Sequence, residues 1–101
     1  MARADPSHPP SIIRLEGVLD GLAAGRVEAV LLRAQAGDRL LVDVTAVQEF
    51  HDFGVAVLGR ALTRTRADVR LRGLRPEHLL VLRYFGMDPE RIEGVVIPDG
   101  I

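Results

Sequence analysis

Residues 40–60 read LLVDVTAVQEFHDFGVAVLGR, and the rest of the chain is best read outward from them. The first five are short and nearly all apolar, the signature of a strand buried in a sheet. Asp43, Val44 and Thr45 close that run. A carboxylate at a strand end can bond loop amides, so Asp43 is expected to be structural. An irregular stretch follows, and a helical pattern opens at Asp52, Phe53 and Gly54. Val55, Leu58, Ala61 and Leu62 form its buried stripe, while Arg60 and Arg64 face water. Asp52 is placed as the N-cap of this helix, which reaches about Arg66. Strand, loop and helix start in that order present a helix N-terminus, a natural seat for negative charge.

On the N-terminal side, residues 1–11 contain Pro6, Pro9 and Pro10 and read as a mobile lead-in. Residues 12–15 give a short strand signal that 17–19 extend. Asp20 can cap the next segment. Over 22–36 apolar residues recur at Ala23, Val27, Val30, Leu31 and Ala34, a helical period ended by Gly37 and Asp38. On the C-terminal side Ala67 and Asp68 make a turn. Val69, Leu71 and Gly73 then alternate with Arg70 and Arg72, a strand with one wet face. Pro76 and Glu77 suit the first turn of a third helix, with Leu79, Leu82 and Phe85 inward and Gly86 just past its end. Residues 92–97 read as a last strand and 98–100 as a turn. The order β-α-β-α-β-α-β calls for an α/β fold: a mixed or parallel sheet of about four strands with about three crossover helices. Crossovers from one side leave one sheet face covered and the other barer. Residues 12–101 form one domain, with no repeat or internal boundary.

Composition narrows the function. The chain has 101 residues, 48% apolar and 27% charged, which suits one small globular domain. No apolar run approaches the roughly 20 residues that cross a bilayer, and no signal peptide follows Met1. Direct membrane insertion is therefore not expected. Zero Cys excludes thiol catalysis and thiolate metal sites and fits a cytoplasmic location. A net charge of −1, with only four aromatic side chains, argues against nucleic-acid binding. All 13 basic residues are Arg. Codon bias in a GC-rich bacterial genome accounts for that plainly; selection for bidentate anion recognition would need clustering. Arg60, Arg64 and Arg66, then Arg70, Arg72 and Arg75, do cluster in sequence.

Residues 40–60 resemble the central motif of the STAS domain, the sulfate transporter and anti-sigma factor antagonist family. Its usual form reads roughly V-[LV]-D-L-S-x-V-x-F-[IM]-D-S-[ST]-G. Gly17, Val18, Leu19 and Asp20 resemble the family's G-x-L-D. Gly73 to Pro76, with Leu79, Leu82, Gly86, Met87 and Asp88, resemble its G-L-x-P…L…G-[LM]-D segment. The resemblance spans about 12–97. There are departures. A further strand usually precedes G-x-L-D, a further helix often follows the last strand, and Glu49 stands where an apolar residue is usual. His51, Asp52 and Phe53 occupy the places of Asp, Ser and Ser/Thr, so the usual phosphoacceptor is replaced by a carboxylate at Asp52.

The resemblance implies a non-enzymatic interaction module without cofactor. In the family a partner Ser/Thr kinase, often itself an anti-sigma factor, phosphorylates the hydroxyl at this helix start. The added charge of about −1.5 to −2 breaks the contact. Asp52 brings about −1 and a flat two-oxygen acceptor. The expectation is a partner surface fixed in one state, formed by Asp20, Phe50, His51, Asp52, Phe53, Gly54, Val57 and Arg60. For several of these a plainer role is open. Asp20 and Asp52 can be helix caps, Phe53 can fold back on Phe50 or Val55, and Gly54 can serve close packing. A His51–Asp52 acid–base pair lacks a nearby nucleophile, and His51 with Glu49 and Asp52 is a poor metal set. His8 and His78 read as solvated.

The first functional expectation is an anti-sigma-factor-antagonist-like regulator that binds a kinase-type anti-sigma factor. The alternative is a small soluble subunit of an ABC-type membrane transport complex that binds the transporter ATPase. A homodimer is a further option. A nucleotide or small-ligand sensor ranks lower, because Asp20 and Asp52 would repel an anion.

Overall fold

A computed structural model describes residues 10–87 and 89–95. Most of the expected lead-in, the end of the expected last strand and its following turn lie outside the described residues. The elements are β1 (Ser11–Leu19), α1 (Gly21–Arg33), β2 (Arg39–Phe50), α2 (Asp52–Arg64), β3 (Asp68–Leu74), α3 (Pro76–Tyr84), a 3-10 turn (Pro89–Arg91) and β4 (Ile92–Val95). The sheet runs in chain order, β1-β2-β3-β4, and every pairing is parallel. Each strand pairs with the next in sequence, so right-handed crossovers all step the same way and bring the helices to one face. Val42, Val44, Val69 and Leu71 meet Val27, Leu31, Val55, Leu58, Leu62 and Leu82 there in one apolar core.

α2 is the middle helix, packed by α1 on one side and α3 on the other. It therefore buries more than a single stripe: Gly54, Val57 and Gly59 join Val55, Leu58, Ala61 and Leu62. β3 passes β2 so closely that a Cβ on Gly73 would lie 2.6 Å from the Cα of Thr45, and Gly73 has φ of +90°. A side chain there would be both strained and obstructed.

Four local expectations need correction. β2 does not stop at Val44; what reads as an irregular stretch is its second half. Pairing with β3 runs only from Arg39 to Asp43, while pairing with β1 continues to Phe50. Among the described strands the second half thus has a paired neighbour on one side only, which lets polar residues stand in it. α1 ends at Arg33, where Asp38 accepts a hydrogen bond from the Gln35 amide at 2.8 Å and turns the chain early. Val30 lies outside the buried stripe of α1 and is exposed. Phe85 sits at the C-cap of α3, past its last inward turn, and is partly exposed.

Candidate functional site at two helix starts

β1 and β2 end side by side, and α1 and α2 begin there. The His51 amide donates to the Leu19 carbonyl at 3.0 Å, which ties the two corners together. Asp20 is the N-cap of α1, and its Oδ1 accepts from the Ala23 amide at 2.9 Å. That satisfies one of the amides a helix start leaves without an internal partner. Asp52 is not the N-cap of α2, contrary to expectation. His51 occupies that position and makes no side-chain cap bond, while Asp52 is the first helical residue and is exposed. A carboxylate is favoured by the helix dipole at either place, so sequence preference does not separate them.

Phe53 projects from the first turn of α2 and is 72% exposed. Its ring lies against Gly21 at the start of α1. Leu22, next to Gly21, is 67% exposed. The two helix starts thus carry two exposed apolar side chains, Phe53 and Leu22, and the exposed Asp52. Leu22 was not among the expected contacts, although its absence from the apolar stripe of α1 was a usable signal.

The other expected contact residues divide. Gly54 is buried, and a Cβ there would lie 2.8 Å from the carbonyl carbon of Asp20 and against the Leu19 carbonyl oxygen. Its place is close packing of α2 onto the end of β1. Val57 does not reach the surface: at 7% exposure it belongs to the core of the middle helix. Arg60 is exposed and held, with Nε and Nη2 donating to Glu28 of α1 at 3.0 and 3.1 Å. These bonds lower the Glu28 carboxyl below its ordinary value, against the effect of its own desolvation.

Phe50 faces inward on the α3 side. Its ring stacks on His78 with centroids 4.2 Å apart, and the Arg75 guanidinium lies 5.4 Å from its centroid. His78 is not solvated as expected but only 9% exposed, and its Nδ1 has no partner. Burial lowers its pKa, with Glu77 and Asp52 opposing and Arg75 reinforcing. His51 instead turns back to Glu49, Nε2 to Oε1 at 3.3 Å. Among the described residues no group of three or more His, Asp and Glu side chains converges. Asp43 is structural as expected, but it lies inside β2 and bonds a residue of its own strand rather than a loop amide. It accepts from the Thr45 amide at 3.0 Å and hydroxyl at 2.6 Å, and those bonds lower its pKa.

The sequence pattern of the family described as "Mlab, STAS domain" matches residues 3–97. The chain belongs to that STAS family. Two solved structures share the fold. The STAS domain of a SulP transporter from Vibrio cholerae aligns with a TM-score of 0.56 at 17% identity, covering 87% of this chain and 72% of its own. RsbS of Moorella thermoacetica, a serine-to-glutamate variant, gives 0.54 at 22% identity, covering 86% and 78%. No curated protein matches the chain in sequence. No described helix is long and apolar enough to cross a membrane.

Proposed function

We propose that this chain is a non-enzymatic docking module that holds a protein partner through the paired helix starts and is not switched by phosphorylation there. The observation that carries this reading is Phe53, an aromatic ring that lies against Gly21 yet is 72% exposed. An exposed aromatic side chain is the type that most often anchors interfaces. Asp20, Asp52 and Leu22 complete the surface, and Arg60 with Glu28 links the two helices behind it. The partner is a kinase-type anti-sigma factor, and the chain is an anti-sigma-factor-antagonist-like regulator in the bacterial cytoplasm.

One observation favours a second reading, a soluble STAS subunit bound to the ATPase of an ABC-type transport complex. Between Thr45 and Thr63 the chain has no hydroxyl side chain. A surface without an acceptor suits a partner that is bound constantly rather than released.

Affinity purification from the native host, with wild type and Phe53→Ala side by side, tests both. A kinase-type regulator recovered with wild type and lost with Phe53→Ala supports the first reading; a transport ATPase with the same behaviour supports the second. A partner retained equally by both proteins would remove the helix-start surface from the account. With a kinase in hand, labelled ATP should mark the introduced hydroxyl of Asp52→Ser and leave wild type unlabelled.

A further inference from the structure

α1 and α2 run side by side in the same direction, because each follows a strand of one parallel sheet. Phe53 lies against Gly21, Arg60 bonds Glu28, and near the far end the Thr65 hydroxyl donates to the Leu31 carbonyl at 2.7 Å. Gly21 and Glu28 therefore mark the line of α1 that meets α2. Leu22, Gly25, Ala29 and Leu32 follow at helical spacing and border this seam on its solvent side. They are accessible: Leu22 and Leu32 are 67% and 46% exposed, Ala29 is exposed, and a Cβ on Gly25 would meet nothing within 4 Å. With Phe53 at its end they form an apolar strip about 15 Å long, the helical rise from Leu22 to Leu32.

Charge along the strip has a direction. Asp20 and Asp52 stand at the helix starts, and Arg33 and Arg64 in the last turns, with Arg26 between them on α1. Arg26, Arg33 and Arg64 are exposed, and among the described residues no hydrogen bond or ion pair holds them. The carboxylate of Glu28 is already matched by Arg60. Asp38, in the loop after α1, accepts from the Gln35 amide, and Arg66 adds another exposed cation just beyond α2. Each helix end carries only about half a negative charge, so the guanidiniums at that end are in surplus.

We propose that an amphipathic helix of the protein partner lies along this seam, antiparallel to α1 and α2. Its acidic first turn meets Arg33 and Arg64, and its apolar side covers Leu32, Ala29 and Leu22 beside Phe53, the helix-in-groove mode of recognition. Charge and dipole select the same direction: the reverse would set like helix ends together and bring an acidic turn against Asp20 and Asp52. Those two carboxylates also oppose a nucleic acid or an anionic membrane laid along the strip. A second copy fits less well, since α1 has no acidic residue in its first turn and brings its own Arg26 to the middle of the seam. Phe53 ties the strip to the helix-start surface, so the proposal rests on that reading and gives its partner a secondary structure and a charge pattern.

The test is amide-resolved NMR of the full chain titrated with two stapled helical peptides of about three turns, each with Leu along one face. One has Glu in its first turn and Lys in its last; the other has these exchanged. The Glu-first peptide should shift Leu22, Gly25, Ala29 and Leu32 and bind about tenfold more tightly than the other, as two exposed charge pairs and a helix end allow. Arg33→Gln combined with Arg64→Gln should remove that difference, and Phe53→Ala should weaken both peptides alike. Comparing the two peptides on wild type keeps the test valid if a variant fails to fold. Equal binding of the two peptides, or shifts confined to His51 to Gly54, would overturn the proposal and leave the helix-start reading standing. A Glu-first preference undiminished by Phe53→Ala would support the strip and count against Phe53 as the anchor. No shift along α1, or closure of the strip in a self-dimer seen by sedimentation, would overturn the proposal.

Discussion

The ring of Phe53 occupies the space a side chain would need at Gly21: a Cβ there would lie 2.6 Å from its Cδ2 atom. The exposed anchor of one helix is therefore positioned by the missing side chain of the other. The obstructing atoms belong to a surface ring that can rotate, so Gly21→Ala should displace Phe53 and leave stability within about 1 kcal/mol of wild type. Partner affinity should fall roughly tenfold, as for removal of an interface anchor. Thermal unfolding and partner titration of the one variant check both halves; unchanged affinity would mean that ring placement is immaterial.

Gly54 gives the opposite expectation. Its neighbours are the backbone of Leu19 and Asp20, which cannot swing aside. Gly54→Ala should cost about 1–3 kcal/mol, the usual penalty for overpacking, seen as a lower urea midpoint. A midpoint equal to wild type would show that α2 can lift from β1 at no cost.

Asp20 and Asp52 both stand at helix starts, but only Asp20 caps with its side chain. Asp20→Ala should lose about 0.5–2 kcal/mol. Asp52→Ala loses only the dipole contribution, about 0.3–1 kcal/mol, and less in high salt. Chemical denaturation at two salt concentrations orders the pair, and a larger loss at Asp52 would contradict the cap assignment.

His78 makes stability depend on pH. Burial lowers its folded pKa below the value of about 6.5 expected in the unfolded chain. Between the two values the unfolded state binds more protons, so stability rises with pH. This contribution is complete above about 6.5 and is lost as pH falls through the folded value. The groups acting on the imidazole are Glu77, Arg75 and Asp52, beside the stacked ring of Phe50. His78→Phe keeps an aromatic ring on Phe50 and should flatten the stability profile between pH 7 and 5.5, roughly the range of histidine titration. An unaltered slope would assign the effect to other groups.

Much of the fold is legible because hydrophobic period changes along the chain. Alternation at Val69 to Arg72 and helical spacing at Val55, Leu58 and Leu62 mark different elements without tertiary information. What escapes the sequence depends on neighbours distant in the chain. Thr45 to Glu49 read as loop because Thr45, Gln48 and Glu49 break the apolar run, yet β1 supplies a hydrogen-bonding partner that no local pattern encodes. Val57 reads as surface because a single stripe suffices for a helix with one neighbour, and α2 has two. His78 reads as solvated because nothing near it announces the Phe50 ring. Of the expected contact surface, Asp20, Asp52 and Phe53 converge at the helix starts. Val57 and Gly54 are withdrawn into packing, and Phe50 turns towards α3.

The sheet order has a consequence for how the domain is assembled. Each βα unit lands beside the unit synthesised just before it, so no strand is threaded between two that have already paired. Units can be added in chain order as the chain emerges, although each parallel pairing must still close a helical crossover. The same order confines any lengthening of the described sheet to its margins, β1 and β4, where a strand from another chain could add without unpicking what is already built.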